Sequence, residues 1–166
     1  MNREQQDGRT PLHIAARNNA VETLKVLLKQ GAEVELKDYN HWTPLHYAAW
    51  ADAVATAEAL IRLKANVDAE ESSLHTPLHI AAQRDSGETA KVLLNHRANV
   101  DARGNCDETP LHHAARNNYH ATAEVLLKHG ADFSLKDKDG NTPLSDAVRK
   151  NAVETAEVLR SHGAQE

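Results

Sequence analysis

Eleven histidines are the side chains of this sequence best suited to ligating a metal or carrying a proton, and four of them, His13, His46, His79 and His112, follow one another at intervals of 33 residues. Zinc takes each ligand at about 2 Å, so residues that each stand one structural unit from the next cannot share one ion. The spacing assigns these four to structure. His113, His120 and His129 fall within one interval, yet no cysteine or carboxylate sits near them at a recognised ligand spacing. The sequence is therefore read as holding no metal and no cofactor. Nucleophilic chemistry has no better footing: there is no Gly-x-Ser-x-Gly elbow, phosphate-binding loop or His-Glu-x-x-His helix. Cys106, the only cysteine, precedes Asp107 and Glu108, whose charge opposes formation of a thiolate. Thr23, Thr56, Thr89, Thr122 and Thr155 recur at the same 33-residue interval and are read as packing residues at a helix interface, each hydroxyl returned to a backbone carbonyl. The chain is expected not to be an enzyme.

The elements that carry these residues repeat with them. Thr-Pro-Leu occurs five times, with threonines at Thr10, Thr43, Thr76, Thr109 and Thr142. A fixed period of this length denotes small supersecondary units stacked on one continuous core, because no unit buries its apolar face alone. Within a unit, Thr109 suits an N-cap and Pro110 the first helical position, where its missing N–H costs nothing. That helix should stop near Asn118, whose equivalents Asn19, Asp52, Asp85 and Asn151 all tolerate the left-handed conformation of a helix exit. A second helix carries Thr122, Ala123, Val125, Leu126 and Leu127 at helical spacing and ends at Gly130. The stretch from Phe133 to Asn141 alternates weakly around the turn pair Asp139-Gly140. Each unit reads as helix, turn, helix, hairpin loop.

Thr-Pro-Leu-His with a following Ala-Ala, and Val-Leu-Leu-Lys-His-Gly-Ala-Asp at 125–132, closely resemble the ankyrin repeat, over roughly residues 5 to 165. The resemblance implies an all-α solenoid of helix-turn-helix units with projecting β-hairpin loops, a single domain over 1–166 with repeats near 5–37, 38–70, 71–103, 104–136 and 137–166. It also implies a non-enzymatic protein-binding module whose partners lie along the concave face formed by the hairpin tips, or fingers, and the first helices. The histidine of each Thr-Pro-Leu-His would be a hydrogen-bonding residue tying first helix to finger.

Several positions depart from that pattern. The glycine ending the second helix is kept at Gly31, Gly130 and Gly163 but replaced by Lys64 and Arg97, where a left-handed non-glycine residue costs about 1 kcal/mol. The finger-tip glycine is kept at Gly8 and Gly140 but becomes His41, Leu74 and Asp107, so these fingers need a different turn or an outside reason for their residues. In unit five, Ser145 and Asp146 replace the histidine and apolar residue of the other units, and Arg160 stands where Leu28, Ile61, Leu94 and Leu127 stand. This reads as a polar C-terminal cap. Unit one begins almost at its finger with no polar cap unit before it, as though cut from a longer array or engineered to start there. A designed scaffold with no selected natural ligand is thus the alternative to a natural binding module.

Four of the six aromatics, Tyr39, Trp42, Tyr47 and Trp50, fall in one 12-residue window. Tyr47 is assigned mainly to the core, since isoleucine holds its equivalents Ile14 and Ile80. Trp42 and Trp50 have no apolar consensus to explain them, and exposed rigid aromatics are the usual anchors of protein interfaces. Tyr39, Asn40, Trp42 and Trp50 with Leu74 and His75 are the expected contact residues. After each Ala-Ala run Arg17, Trp50, Gln83, Arg116 and Arg149, with Arg84 and Lys150 beside them, a basic ridge interrupted by an indole; Arg17, Arg84 and Arg116 are the expected flanking contacts. At about 10 Å per unit the ridge would line most of the concave surface and steer an acidic partner, while Asp107, Glu108 and Asp139 make the opposite rim acidic.

The formal net charge of −5 argues against a generic nucleic-acid binder. One cysteine without a partner favours a reducing compartment, cytosol or nucleus. The polar stretch Met1 to Asp7 lacks the character of a signal peptide, and no apolar run nears the roughly 18 residues of a membrane span. The expected partner is a protein, acidic with an apolar anchor, met by a monomer.

Overall fold

The computed structural model describes residues 7–165; the expectations for Met1 to residue 6, including the start of unit one at residue 5, and for Glu166 lie outside the described residues. Ten helices appear among the described residues. The first helices of the units are α1 (Pro11–Arg17), α3 (Pro44–Trp50), α5 (Pro77–Arg84), α7 (Pro110–Arg116) and α9 (Pro143–Arg149). The second helices are α2 (Val21–Lys29), α4 (Val54–Arg62), α6 (Gly87–Asn95), α8 (His120–Lys128) and α10 (Val153–Ser161). First helices pack on first helices along the series, second on second, and each pair packs together. Between the two layers runs one apolar core. Leu12, Leu45, Leu78, Leu111 and Leu144, the leucines of the five Thr-Pro-Leu motifs, are almost fully buried, and the alanines that follow let the helices approach closely.

Every first helix starts with extended backbone at the threonine and proline just inside. The exits are left-handed at Asn19, Asp52, Asp85, Asn118 and Asn151, with φ from 50° to 58°, as their residue types predicted. These side chains have a second use. Asn19 Oδ1 accepts from Thr56 N (3.1 Å), Asp52 Oδ1 from Thr89 N (2.8 Å) and Asn118 Oδ1 from Thr155 N (3.1 Å). The exit of one unit thereby satisfies a free N–H in the first turn of the next unit's second helix. The periodic threonines are fully buried from Thr56 onward, whereas Thr23 is exposed. Only part of the expected hydroxyl pattern holds: Thr56 Oγ1 donates to the carbonyls of Ala16 (2.8 Å) and Ala53 (3.1 Å), but Thr122 Oγ1 donates to Asp85 Oδ1 and Thr155 Oγ1 to Asn118 Oδ1. At Thr122 and Thr155 a side-chain acceptor on the neighbouring unit takes the place of the backbone carbonyl, whereas Thr89 Oγ1 is buried without a hydrogen-bond partner.

The fingers are tight loops, with no strand among the described residues. The second to fifth fingers each close with two backbone hydrogen bonds, such as Asp38 N to Trp42 O and His41 N to Asp38 O (both 3.0 Å), and neighbours join through bonds such as Asn105 N to Ser73 O (3.0 Å). His41, Leu74 and Asp107 adopt the same left-handed tip as Gly8 and Gly140, at φ from 56° to 63°. The non-glycine tips therefore keep the common turn and accept the strain. Lys64 (φ 71°) and Arg97 (φ 66°) do likewise at the second-helix ends.

Candidate functional site

The histidine of each Thr-Pro-Leu-His is a two-ended latch. His13 Nδ1 accepts from Thr10 N (3.0 Å), so the proton of the neutral ring sits on Nε2, which donates to the Trp42 carbonyl of the next finger (3.0 Å). His46 repeats this with Thr43 N and the His75 carbonyl, His79 with Thr76 N and the Glu108 carbonyl, and His112 with Thr109 N and the Asn141 carbonyl. Burial lowers all four pKa values, to about 4 for His46 and His79. A proton on Nδ1 would also break the bond from the threonine N–H. The role expected from the family resemblance is met in these four units; unit five carries Ser145 at the same position, and Thr142 Oγ1 accepts from Ser145 N.

The latches set the fingers against the first helices, and the inner face between them holds the predicted contact residues. Trp50, at the end of α3, lies between two guanidinium groups, Arg17 from unit one at 4.4 Å and Arg84 from unit three at 4.5 Å from the ring centroid. Both arginines are exposed and the indole is half-buried. Stacking uses the faces of the guanidinium planes and leaves their N–H edges free for carboxylates. Trp42 is half-buried against Tyr47 (centroids 5.1 Å) and His46 (5.8 Å). The Tyr47 hydroxyl donates to Asp38 Oδ2 at 2.7 Å, and burial and that carboxylate push its pKa upward. Arg17, Asn40, Trp42, Tyr47 and Trp50 line a hollow of about 230 Å³. Tyr39 (68% exposed), Asn40 and Leu74 (44% exposed) stand on the finger rim above it.

Two predicted contact residues are committed elsewhere. Arg116 donates from Nη2 to Asp137 (2.6 Å) and from Nε to Asp146 (2.5 Å). Asp146 is fully buried and also binds Arg149 at 2.5 Å. Arg116 is therefore a clamp between units four and five, and Asp146 is its buried partner instead of part of a polar outer face. Arg160, by contrast, is exposed. His75, expected at the surface, turns inward: its Nε2 lies 2.8 Å from Glu108 Oε1 and its Nδ1 3.3 Å from Glu71 Oε1. His113, buried in α7, faces the same carboxylate, and burial lowers its pKa to about 3. Sequence reasoning missed this group because its members belong to no single periodic column. The available signal was that Glu108 lies one period after His75 and five residues before His113.

The ankyrin-repeat family model, three copies of the repeat, matches residues 1–71 and 78–166. The chain belongs to the ankyrin-repeat family. Ankyrin repeats are in general protein–protein interaction modules, and the family is typically non-enzymatic. A search of curated proteins finds no match to this ankyrin chain. Among the described residues no helix is long and apolar enough to cross a membrane. A larger hollow of about 580 Å³ lies on the second helices, where Lys91, His120, Val125 and Val158 border it, but it contains none of the rigid aromatics that distinguish the inner face.

Proposed function

We propose that this ankyrin domain, one five-unit body acting as a monomer, binds an acidic protein segment along its inner face, with the hollow beside Trp50 receiving an apolar side chain. The observation that carries the reading is the stack of Arg17, Trp50 and Arg84. Holding two long arginines in place before binding removes part of the side-chain entropy that docking normally costs, about 0.5–1.5 kcal/mol per ordered side chain. The free edges can each take a carboxylate, and the apolar hollow between Trp42 and Trp50 gives the segment a register. Tyr39, Asn40 and Leu74 extend the contact onto the rim; Trp42 acts as a wall of the hollow more than as a free anchor. Arg116 is left out, being spent on Asp137 and Asp146. The lone cysteine, exposed on the fourth finger, fits residence in the cytosol or nucleus, where thiols stay reduced.

An array of peptides differing in acidity and in one central apolar residue tests this. Acidic peptides with a leucine or aromatic residue should bind, and Arg17→Ala with Arg84→Ala should lose them while keeping the fold. Equal binding of basic and acidic peptides, or full retention in the double variant, would reject the proposal.

A further inference from the structure

We propose that His75, Glu108 and His113 together bind a divalent transition-metal ion of the zinc class. The three meet where the third and fourth fingers adjoin α7, and one donor atom from each lies within 4.8 Å of the others. Glu108 Oε1 stands 2.8 Å from His75 Nε2 and 3.7 Å from His113 Nε2. Donors held about 2.0–2.1 Å from a tetrahedral ion stand roughly 3.3 Å apart, a separation these two distances bracket. Two imidazoles and one carboxylate with a fourth position left over is a donor set that zinc accepts.

Three further observations point to a ligand. Glu108 is 5% exposed, and its second oxygen, Oε2, is buried with no hydrogen-bond partner. Buried carboxylate oxygens are normally paired, and an ion held by both oxygens of the Glu108 carboxylate would pair this one too. His75 has a carboxylate on its outer side, as metal-bound imidazoles commonly do: with Nε2 on the ion, Nδ1 lies 3.3 Å from Glu71 Oε1. The fourth finger also makes room. At the position where the second, third and fifth fingers carry Asp38, Glu71 and Asp137, the fourth has Gly104, and a Cβ there would meet His75 at 2.8 Å and the Glu108 carboxyl at 3.0 Å. Gln83, whose amide nitrogen is 3.4 Å from both His75 Nδ1 and His113 Nε2, borders the cluster.

A second group with close donors, His112, Asp137 and Asp146, differs decisively. The Arg116 guanidinium already lies between its two carboxylates and supplies the cation.

The test is zinc titration of the full chain after chelator treatment, read by calorimetry and by competition with a chromophoric chelator, with cobalt(II) absorption as a report on coordination. One zinc per chain is expected, together with a cobalt spectrum of tetrahedral type. Both should vanish in His113→Ile, which installs the residue found at the equivalent positions 14 and 80 and so suits the packing, and in Glu108→Gln, which keeps an acceptor for His75. His129→Ala, at an exposed histidine, should leave both unchanged. Failure of the wild type to bind stoichiometrically, or undiminished binding in both His113→Ile and Glu108→Gln, would overturn the assignment. Circular dichroism confirms folding, and Glu108→Gln decides the matter if His113→Ile does not fold.

Discussion

Replacing Arg116 with alanine should unfold this protein far more readily than replacing Arg17 or Arg84, although all three were read from sequence as parts of one basic ridge. Arg116 makes two charge-assisted hydrogen bonds, to an aspartate that is fully buried and to another whose side chain is 3% exposed, while 27% of its own side chain remains accessible. Removing one member of a buried ion pair typically costs about 3–5 kcal/mol, because a charge is left buried and uncompensated. Two features pull the figure to the low end of that range. Arg149 still contacts Asp146, and Asp137 keeps the N–H groups of Asp139 and Asn141. A loss of about 3 kcal/mol is expected, which for a chain of this length corresponds to a melting temperature lower by about 6–12 °C. Urea and thermal unfolding followed by circular dichroism measure it. Arg17→Ala and Arg84→Ala, exposed and bound only to an indole face, should each cost about 0.5–1 kcal/mol. Combining Arg116→Ala with Asp146→Ile, the residue of positions 14 and 80, should recover part of the loss, since the buried charge leaves with its partner. A cost below about 0.5 kcal/mol for Arg116→Ala, within the range of an ordinary surface substitution, would refute the clamp.

Stability should also fall with acid before the carboxylates titrate, in metal-chelated buffer. The latch histidines are held neutral in the fold, with His46 and His79 lowered to about 4 chiefly by burial, despite Asp38 facing the first and Glu108 the second; the His75 ring, which faces both, acts with burial. Between the ordinary histidine value near 6.5 and about 4 the unfolded chain takes up protons that the folded one refuses, so stability is complete above 6.5 and declines below it. At pH 5 each of the two latches should have lost on the order of 2 kcal/mol, and a urea midpoint unchanged from pH 7.5 to 5 would contradict this. Glycine at Leu74, Lys64 or Arg97 should raise stability by about 0.5–1 kcal/mol per site, because each holds a left-handed backbone that glycine adopts without strain; denaturation midpoints that fall in all three variants would show that the side chains compensate.

Legibility in the sequence followed periodicity. Helix starts at proline and left-handed exits at Asn or Asp, each repeated five times, and the histidine latch, repeated four times, could be read, because identical local chemistry specifies identical local geometry. Singular residues could not. Asp146 looked like a polar cap residue, and only the stacking of α9 on α7 reveals that Arg116 meets it inside. Trp42 looked free because its partner Tyr47 had been assigned to the core separately. His75 and Glu108 share one column of the repeat but His113 comes from another, and their meeting depends on finger depth and on the space left at Gly104, neither of which spacing encodes.

Both tryptophans of the chain border the hollow assigned to the partner's apolar side chain, so their emission reports on that site with no added label. Titration with an acidic, leucine-bearing peptide from the array should give a saturable change in tryptophan emission, weakened by salt and lost in Arg17→Ala with Arg84→Ala. Saturable binding detected calorimetrically with no change in that emission would place the contact elsewhere and contradict the inner-face account.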